Sequence, residues 1–93
     1  MTKREMVARI AAETGFAQTD VFEVVQRALD LMTESLCRGD RIEFRNFGVF
    51  EIQTRKARVG RNPNRPEQTV RIPERKTVKF KPGRIMRRRI TGS

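Results

Sequence analysis

Apolar positions along this chain keep two rhythms, a helical one over roughly the first forty residues and an alternating one after it. Met6, Val7, Ile10 and Ala11 recur at helical spacing, and Thr2-Lys3-Arg4-Glu5 before them is a capping-box pattern. A first helix is predicted to start there, with Gly15 after Thr14 as a left-handed stop. A second helix is predicted from Gln18 or Thr19 to about Arg38, favoured at its start by Asp20 and Glu23 and broken by Gly39-Asp40. Val21, Val24, Val25, Ala28, Met32 and Ser35 form one stripe of it, and Phe22, Leu29 and Leu36 recur every seven residues on an adjoining face. Two partners are implied: one face covers the chain's own strands and first helix, and the other meets a second subunit.

The rhythm then changes to alternation. Arg41-Ile42-Glu43-Phe44 and Val49-Phe50-Glu51-Ile52-Gln53 flank a turn at Asn46-Phe47-Gly48, the pattern of a hairpin with one buried face. Phe44, Phe50 and Ile52 are predicted to point inward, and Phe47 to fold back from the turn into the core. From Thr54 to about residue 75 the segments still look extended, but charged or small side chains stand where core residues would be. This arm contains Pro73, tolerable where both strands are edges. Its few apolar contacts predict mobility without a ligand. Lys76-Thr77-Val78-Lys79-Phe80 returns to the core, and Lys81-Pro82-Gly83 leads into a short helix near Arg84–Ile90. Ile85, Met86 and Ile90 are expected to face the body.

Charge sharpens this picture. Residues 1–53 hold seven Lys/Arg against nine Asp/Glu, and residues 54–93 hold fourteen against two, so nets of −2 and +12 give the overall +10. One-sided basicity is the footprint of a polyanion partner. A membrane surface would need a basic amphipathic helix or an anchor, whereas the basic region here reads as strands. Sixteen of the 21 basic residues are Arg, which favours forked phosphate contacts and entry into a narrow groove.

Ninety-three residues allow one domain with a marginal core, and the single cysteine, Cys37, offers no internal disulfide. Oligomerisation is the expected remedy. Cys37 itself suits a reducing compartment as a structural residue near a helix end. No stretch reads as a signal peptide or a membrane span, so a cytoplasmic protein is expected. With no His, and only Glu67 and Glu74 as carboxylates in the basic half, neither a metal site nor a nucleophile–base pair is supported. No enzyme, cofactor or small-molecule substrate is expected.

Gly60-Arg61-Asn62-Pro63 sits inside the basic stretch, where a glycine lets the backbone turn, Arg and Asn offer donors, and an exposed proline can wedge between bases. Together with Asn46-Phe47-Gly48-Val49-Phe50 and Phe80-Lys81-Pro82-Gly83, in that order, it makes the whole chain resemble the HU/IHF family of bacterial nucleoid proteins. The resemblance implies an α+β fold: two N-terminal helices, a three-stranded antiparallel sheet extended into a β-ribbon arm, and a short C-terminal helix, in an intertwined homodimer. Residues 1–53 and 76–93 would form the body and 54–75 the arm. It further implies that the arms enter the minor groove of duplex DNA and that Pro63 inserts between base pairs, bending the DNA mostly without sequence specificity.

One departure stands out. The family usually follows that proline with a residue and then Thr-Gly, whereas this chain has Asn64-Arg65-Pro66, and the return strand reads about a residue longer. Pro66 implies a stiffer tip with an added cation, and Asn64 is expected to supply the positive φ that glycine would have given. Pro82 resembles the integration-host-factor branch.

The expected DNA contacts are Arg55, Lys56, Arg58, Arg61, Arg65, Arg71 and Lys76 on the arm, with Asn62 and Pro63 at its tip. Lys3, Arg4, Lys79, Lys81, Arg84 and Arg87 extend the track over the body, assisted by backbone amides near Asn46 and Gly48. Phe22, Val25, Leu29, Met32, Leu36, Phe44, Phe47, Phe50 and Phe80 are the expected dimer core. The partners are double-stranded DNA and a second copy, or a paralogue in its place, at the nucleoid. Three other readings compete. A helix-turn-helix reader is disfavoured by Asp20, Glu23, Asp30 and Glu34 on its recognition helix. RNA binding lacks stacking aromatics in the arm. A site-preferring, integration-host-factor-like bender is the nearest alternative.

Overall fold

The computed structural model describes residues 1–92. Helix α1 (Lys3–Thr14) starts on the predicted capping box: the Thr2 hydroxyl accepts from the Glu5 N–H at 3.1 Å, and the Thr2 N–H donates to Glu5 Oε2 at 3.4 Å. Gly15 ends it at φ 79°, its N–H donating to the Ala11 carbonyl. Helix α2 (Gln18–Cys37) follows, and Gly39 turns the chain out of it at φ 81°. Strand β1 (Ile42–Phe44), β2 (Gly48–Arg55) and β5 (Arg75–Pro82) form a three-stranded antiparallel sheet in the order β1-β2-β5. Strands β3 (Arg58–Asn62) and β4 (Arg65–Ile72) form a separate two-stranded ribbon, and α3 (Arg84–Thr91) ends the described chain.

The two sheets share one register frame. Arg55 faces Arg75 and Arg58 faces Ile72, with two residues on each side of the gap between these pairs. The ladder stops at Lys56-Ala57 and Pro73-Glu74. Pro73 therefore lies at a joint between β4 and β5 and not within a strand, because it has no N–H to donate to a ladder.

Two motifs far apart in sequence are tied together in the body. The β1–β2 turn takes its left-handed residue from Asn46, at φ 68°, while Gly48 has an ordinary φ. Gly48 is needed for a different reason. A Cβ there would lie 2.6 Å from both the Lys81 carbonyl and the Phe80 ring, so Phe80 packs flat across a bare backbone. The Gly83 N–H donates to the Phe47 carbonyl at 2.8 Å, and a Cβ on Gly83 would press on the Asn46–Phe47 backbone at 3.2 Å. Around this knot Phe47 approaches Phe44, Phe50 and Phe80 with ring centroids at 6.2, 6.4 and 5.6 Å, and Phe50 meets Phe80 at 4.7 Å.

The buried core of one chain is small: Val7, Ala11 and Val21, flanked by Ile10 and Val25. Phe16, Phe22, Leu29, Phe44, Phe47 and Ile90 are all open to solvent. The radius of gyration is 19.4 Å, against about 12 Å for a compact chain of this length. Such a chain leaves too much apolar surface in water to be stable alone. Helix α3 departs from expectation here: Met86 is half-buried, but Ile85 and Ile90 are exposed and do not cover the body of their own chain.

Candidate nucleic-acid interface

The arm is a two-stranded ribbon with no second layer. Side chains alternate across it, so Arg61 and Arg71 share one face with Val59 and Thr69, and Arg58 shares the other with Gly60, Val70 and Ile72. Cations therefore project from both faces. Gly60 lies inside β3 opposite Val70, with ordinary φ, and does not make the turn. Instead the chain reverses at Pro63-Asn64, between the facing residues Asn62 and Arg65. Asn62 Oδ1 accepts the Asn64 N–H at 3.0 Å, an Asx turn. Asn64 does not take the positive φ expected of it, since Asn46 alone among the described non-glycine residues does. A proline at the first central position presets an ordinary turn that needs no left-handed residue.

The extra length of the return strand appears as a register shift. Arg61 faces Thr69 but Asn62 faces Arg65, so Pro66, Glu67 and Gln68 make an excess on β4. A bulge is one of the few places in a sheet where proline is tolerated.

Arg55, Lys56, Arg58, Arg61, Arg65, Arg71 and Lys76 are all exposed, as are Pro63 and the body cations Lys79, Arg84 and Arg87. Among the described residues the ion pairs are Arg9–Glu13, Arg27–Glu34, Arg38–Asp40, Arg41–Glu43 and Lys81–Glu51, and none involves an arm cation. Arg75, not singled out from the sequence, belongs with them. It stands directly opposite Arg55, and both line a groove of about 260 Å³ at the joint with Lys56 and Arg58. Like charges placed directly across a ladder destabilise it, by roughly 0.2–1 kcal/mol on the scale of such pairs. A bound anion would reverse that sign. The sequence offered no signal for this, because the pairing depends on register.

Three expected contacts are placed differently. Gly48 is buried beneath the Phe80 ring, where the absence of a side chain serves packing. Lys3 lies over the Phe22 ring, 4.9 Å from its centroid, and its ammonium donates to Gln26 Oε1. Lys81 pairs with Glu51 at 2.8 Å, and this hydrogen-bonded ammonium, aided by Arg41 and Lys79, holds the Glu51 carboxyl below the usual range. Arg4 remains exposed, and Asn46 lines a groove with Phe47, Ile85, Met86, Arg89 and Ile90. Cys37 closes α2 as an exposed residue beside Leu36, Ile52 and Val78.

The family model for bacterial DNA-binding proteins matches residues 1–91. The chain belongs to the HU/IHF family. These are DNA-binding proteins without enzymatic activity. The chain is 43% identical over 90 residues to a probable DNA-binding protein HU of Chlamydia pneumoniae, covering 97% of this chain and 90% of that one. It is 44% identical over 95 residues to the integration host factor beta subunit of Burkholderia mallei, covering 99% and 86%. A solved cocrystal of Anabaena HU with DNA superposes with a TM-score of 0.87 at 31% identity over the whole of both chains. Helices, sheet, arm and terminal helix thus follow the HU/IHF arrangement.

Proposed function

We propose that two copies of this chain interlock through their open apolar faces and bend duplex DNA with their paired arms. Phe22, Leu29, Phe44, Phe47 and Phe80 are each more than a third exposed in one chain, and a second copy supplies the missing cover. Phe22, Val25, Leu29, Met32, Leu36 and the four-phenylalanine cluster form the shared core. A paralogue with the same faces takes the second place equally well. The arms, residues 54–75 with Arg75, follow the minor groove, their cations on phosphates and groove walls, and Pro63 wedges between base pairs. Lys79, Arg84 and Arg87, with Arg4, extend the contact over the body, which acts at the nucleoid in the cytoplasm.

The observation that carries this reading is the arm itself: exposed, without a core, and lined with cations that have no ion-pair partner among the described residues. A phosphate backbone is the partner that such a ribbon fits. Identity of 44% to an integration host factor subunit supports a second reading, in which the protein prefers particular sites.

The test separates bending from binding. Pro63→Ala leaves every phosphate contact in place and removes the wedge, so affinity for straight duplex should change little. End-to-end energy transfer on a short labelled duplex should show bending fall sharply, because unstacking costs a few kcal/mol that nothing then offsets. Nicked or prebent DNA should bind mutant and parent alike. Pro66→Ala and the double mutant are measured alongside. If all three bend DNA like the parent, the arm is an electrostatic clamp and the wedge is wrong. A preference for RNA duplex over DNA in the same panel would overturn the assignment.

A further inference from the structure

Helix α3 carries one cation on its apolar side. Ile85, Met86, Arg89 and Ile90 line a groove of about 500 Å³ with Asn46 and Phe47 of the β1–β2 turn, a groove that Arg84, Arg87 and Arg88 do not line. Helical spacing agrees, since Arg89 stands four residues after Ile85 and shares its row. Arg89 is exposed, and among the described residues it forms no ion pair. Phe47, on the other wall, belongs to the shared core proposed above, so a second copy that covers Phe47 also closes over this groove. Arg89 then leaves water, and a guanidinium so placed needs a carboxylate to offset its lost hydration.

The second copy carries a carboxylate on the face that arrives. Phe22, Leu29 and Leu36 form the stripe assigned to the interface, and of the α2 acids Asp20, Glu23, Asp30 and Glu34, helical periodicity sets Asp30 nearest to it. A hydrogen bond draws Asp30 further that way. Gln26, one turn earlier and beside the stripe, donates to Asp30 Oδ1 at 2.9 Å, while among the described residues no cation pairs with Asp30. We infer that Arg89 pairs with Asp30 of the partner subunit, once on each side of the dimer, and that this pair decides which chains this protein accepts as its second copy. Such a pair acts chiefly as a filter, because like charges set face to face penalise a wrong partner. A paralogue qualifies only with an acid in the place of Asp30 and a cation in that of Arg89. The inference rests on the proposed dimer.

Two variants with different affinity tags, Arg89→Asp and Asp30→Arg, test it. A homodimer of either opposes like charges twice, whereas a mixed dimer joins the two introduced groups on one side and keeps the original Arg89 and Asp30 on the other. Co-expressed, they should appear in native mass spectrometry as mixed dimers, at least about tenfold over either homodimer. A chain that carries both substitutions should form homodimers again, with a thermal midpoint close to that of the wild type and above that of either single variant. Lost packing alone cannot give that recovery. A statistical mixture of the three dimers, a double variant no better than the singles, or no dimer at all on co-expression would overturn the pairing and leave a dimeric, DNA-bending wild type standing. A wild type found monomeric by light scattering would instead remove the proposed dimer, and this inference with it.

Discussion

Every ion pair among the described residues lies in the body, and so do most of the large apolar side chains left open to water. The arm inverts this. Its exposed large apolar side chains are Val59 and Val70, and its cations have no ion-pair partner among the described residues. The body lacks an apolar partner and the arm an ionic one, so one chain is suited to two associations of different physics. Apolar burial does not depend on counterion release and suits permanent assembly, whereas phosphate contacts release counterions and stay adjustable.

The largest effect should come from putting a charge on the body's open face. Leu29→Glu would bury an unpaired carboxylate on assembly at a cost of several kcal/mol, so folding and dimerisation should be lost together. Circular dichroism and light scattering check this, and a folded Leu29→Glu monomer would refute the shared core. In the arm, Val59→Gln should shift stability by no more than about 0.5 kcal/mol.

One substitution tried in both regions gives a sharper contrast. Gly48→Ala meets the Phe80 ring and the Lys81 carbonyl at 2.6 Å and should cost about 1–3 kcal/mol, lowering the thermal midpoint. Gly60→Ala meets the end of the Ile72 side chain at 3.3 Å and the Val70 carbonyl at an ordinary 3.9 Å, in a ribbon with room to give, and should leave the midpoint nearly unchanged.

Arm charges should act on binding alone. With roughly six to ten phosphates neutralised per dimer, log K should fall against log salt with a slope of about −5 to −9. Arg58→Ala or Arg71→Ala should reduce that slope by about one per lost contact with no change in thermal midpoint. A slope near zero would remove the electrostatic account of the arm.

The smallest effect concerns the body's own ion pair. Lys81 depresses the Glu51 carboxyl, so the pair stabilises the fold above the ordinary carboxylate pKa and is lost as pH falls through the lowered value. Glu51→Gln should remove that small acid-limb contribution and change nothing at neutral pH beyond the loss of an exposed pair. Thermal midpoints from pH 7 down to pH 3 read the difference.

Much of this was legible in the residues. The capping box at Thr2 and Glu5, the left-handed stop at Gly15 and the break at Gly39 were all foreseen, because each depends on hydrogen bonds or φ preferences within a few residues. The alternation through β1 and β2 likewise located the hairpin. What was misjudged turned on register and on burial. Gly60 was given the turn and Asn64 a positive φ, whereas the chain reverses at Pro63-Asn64 with Asn62 facing Arg65, and Ile85 and Ile90, expected to face the body, are exposed in one chain.

By itself the sequence determined the order of the helices and strands and the ends of the first two helices, the separation of a basic half from an apolar one, and the family, since these rest on local geometry and on composition. Only the tertiary structure decided that Phe80 crosses Gly48 and Gly83 caps Phe47, that Arg75 confronts Arg55, and that Pro73 marks a joint. Those facts depend on register, which brings together residues up to thirty-six positions apart, Phe47 and Gly83 among them. A strand's own sequence carries its alternation but not the identity of the chain that crosses its face.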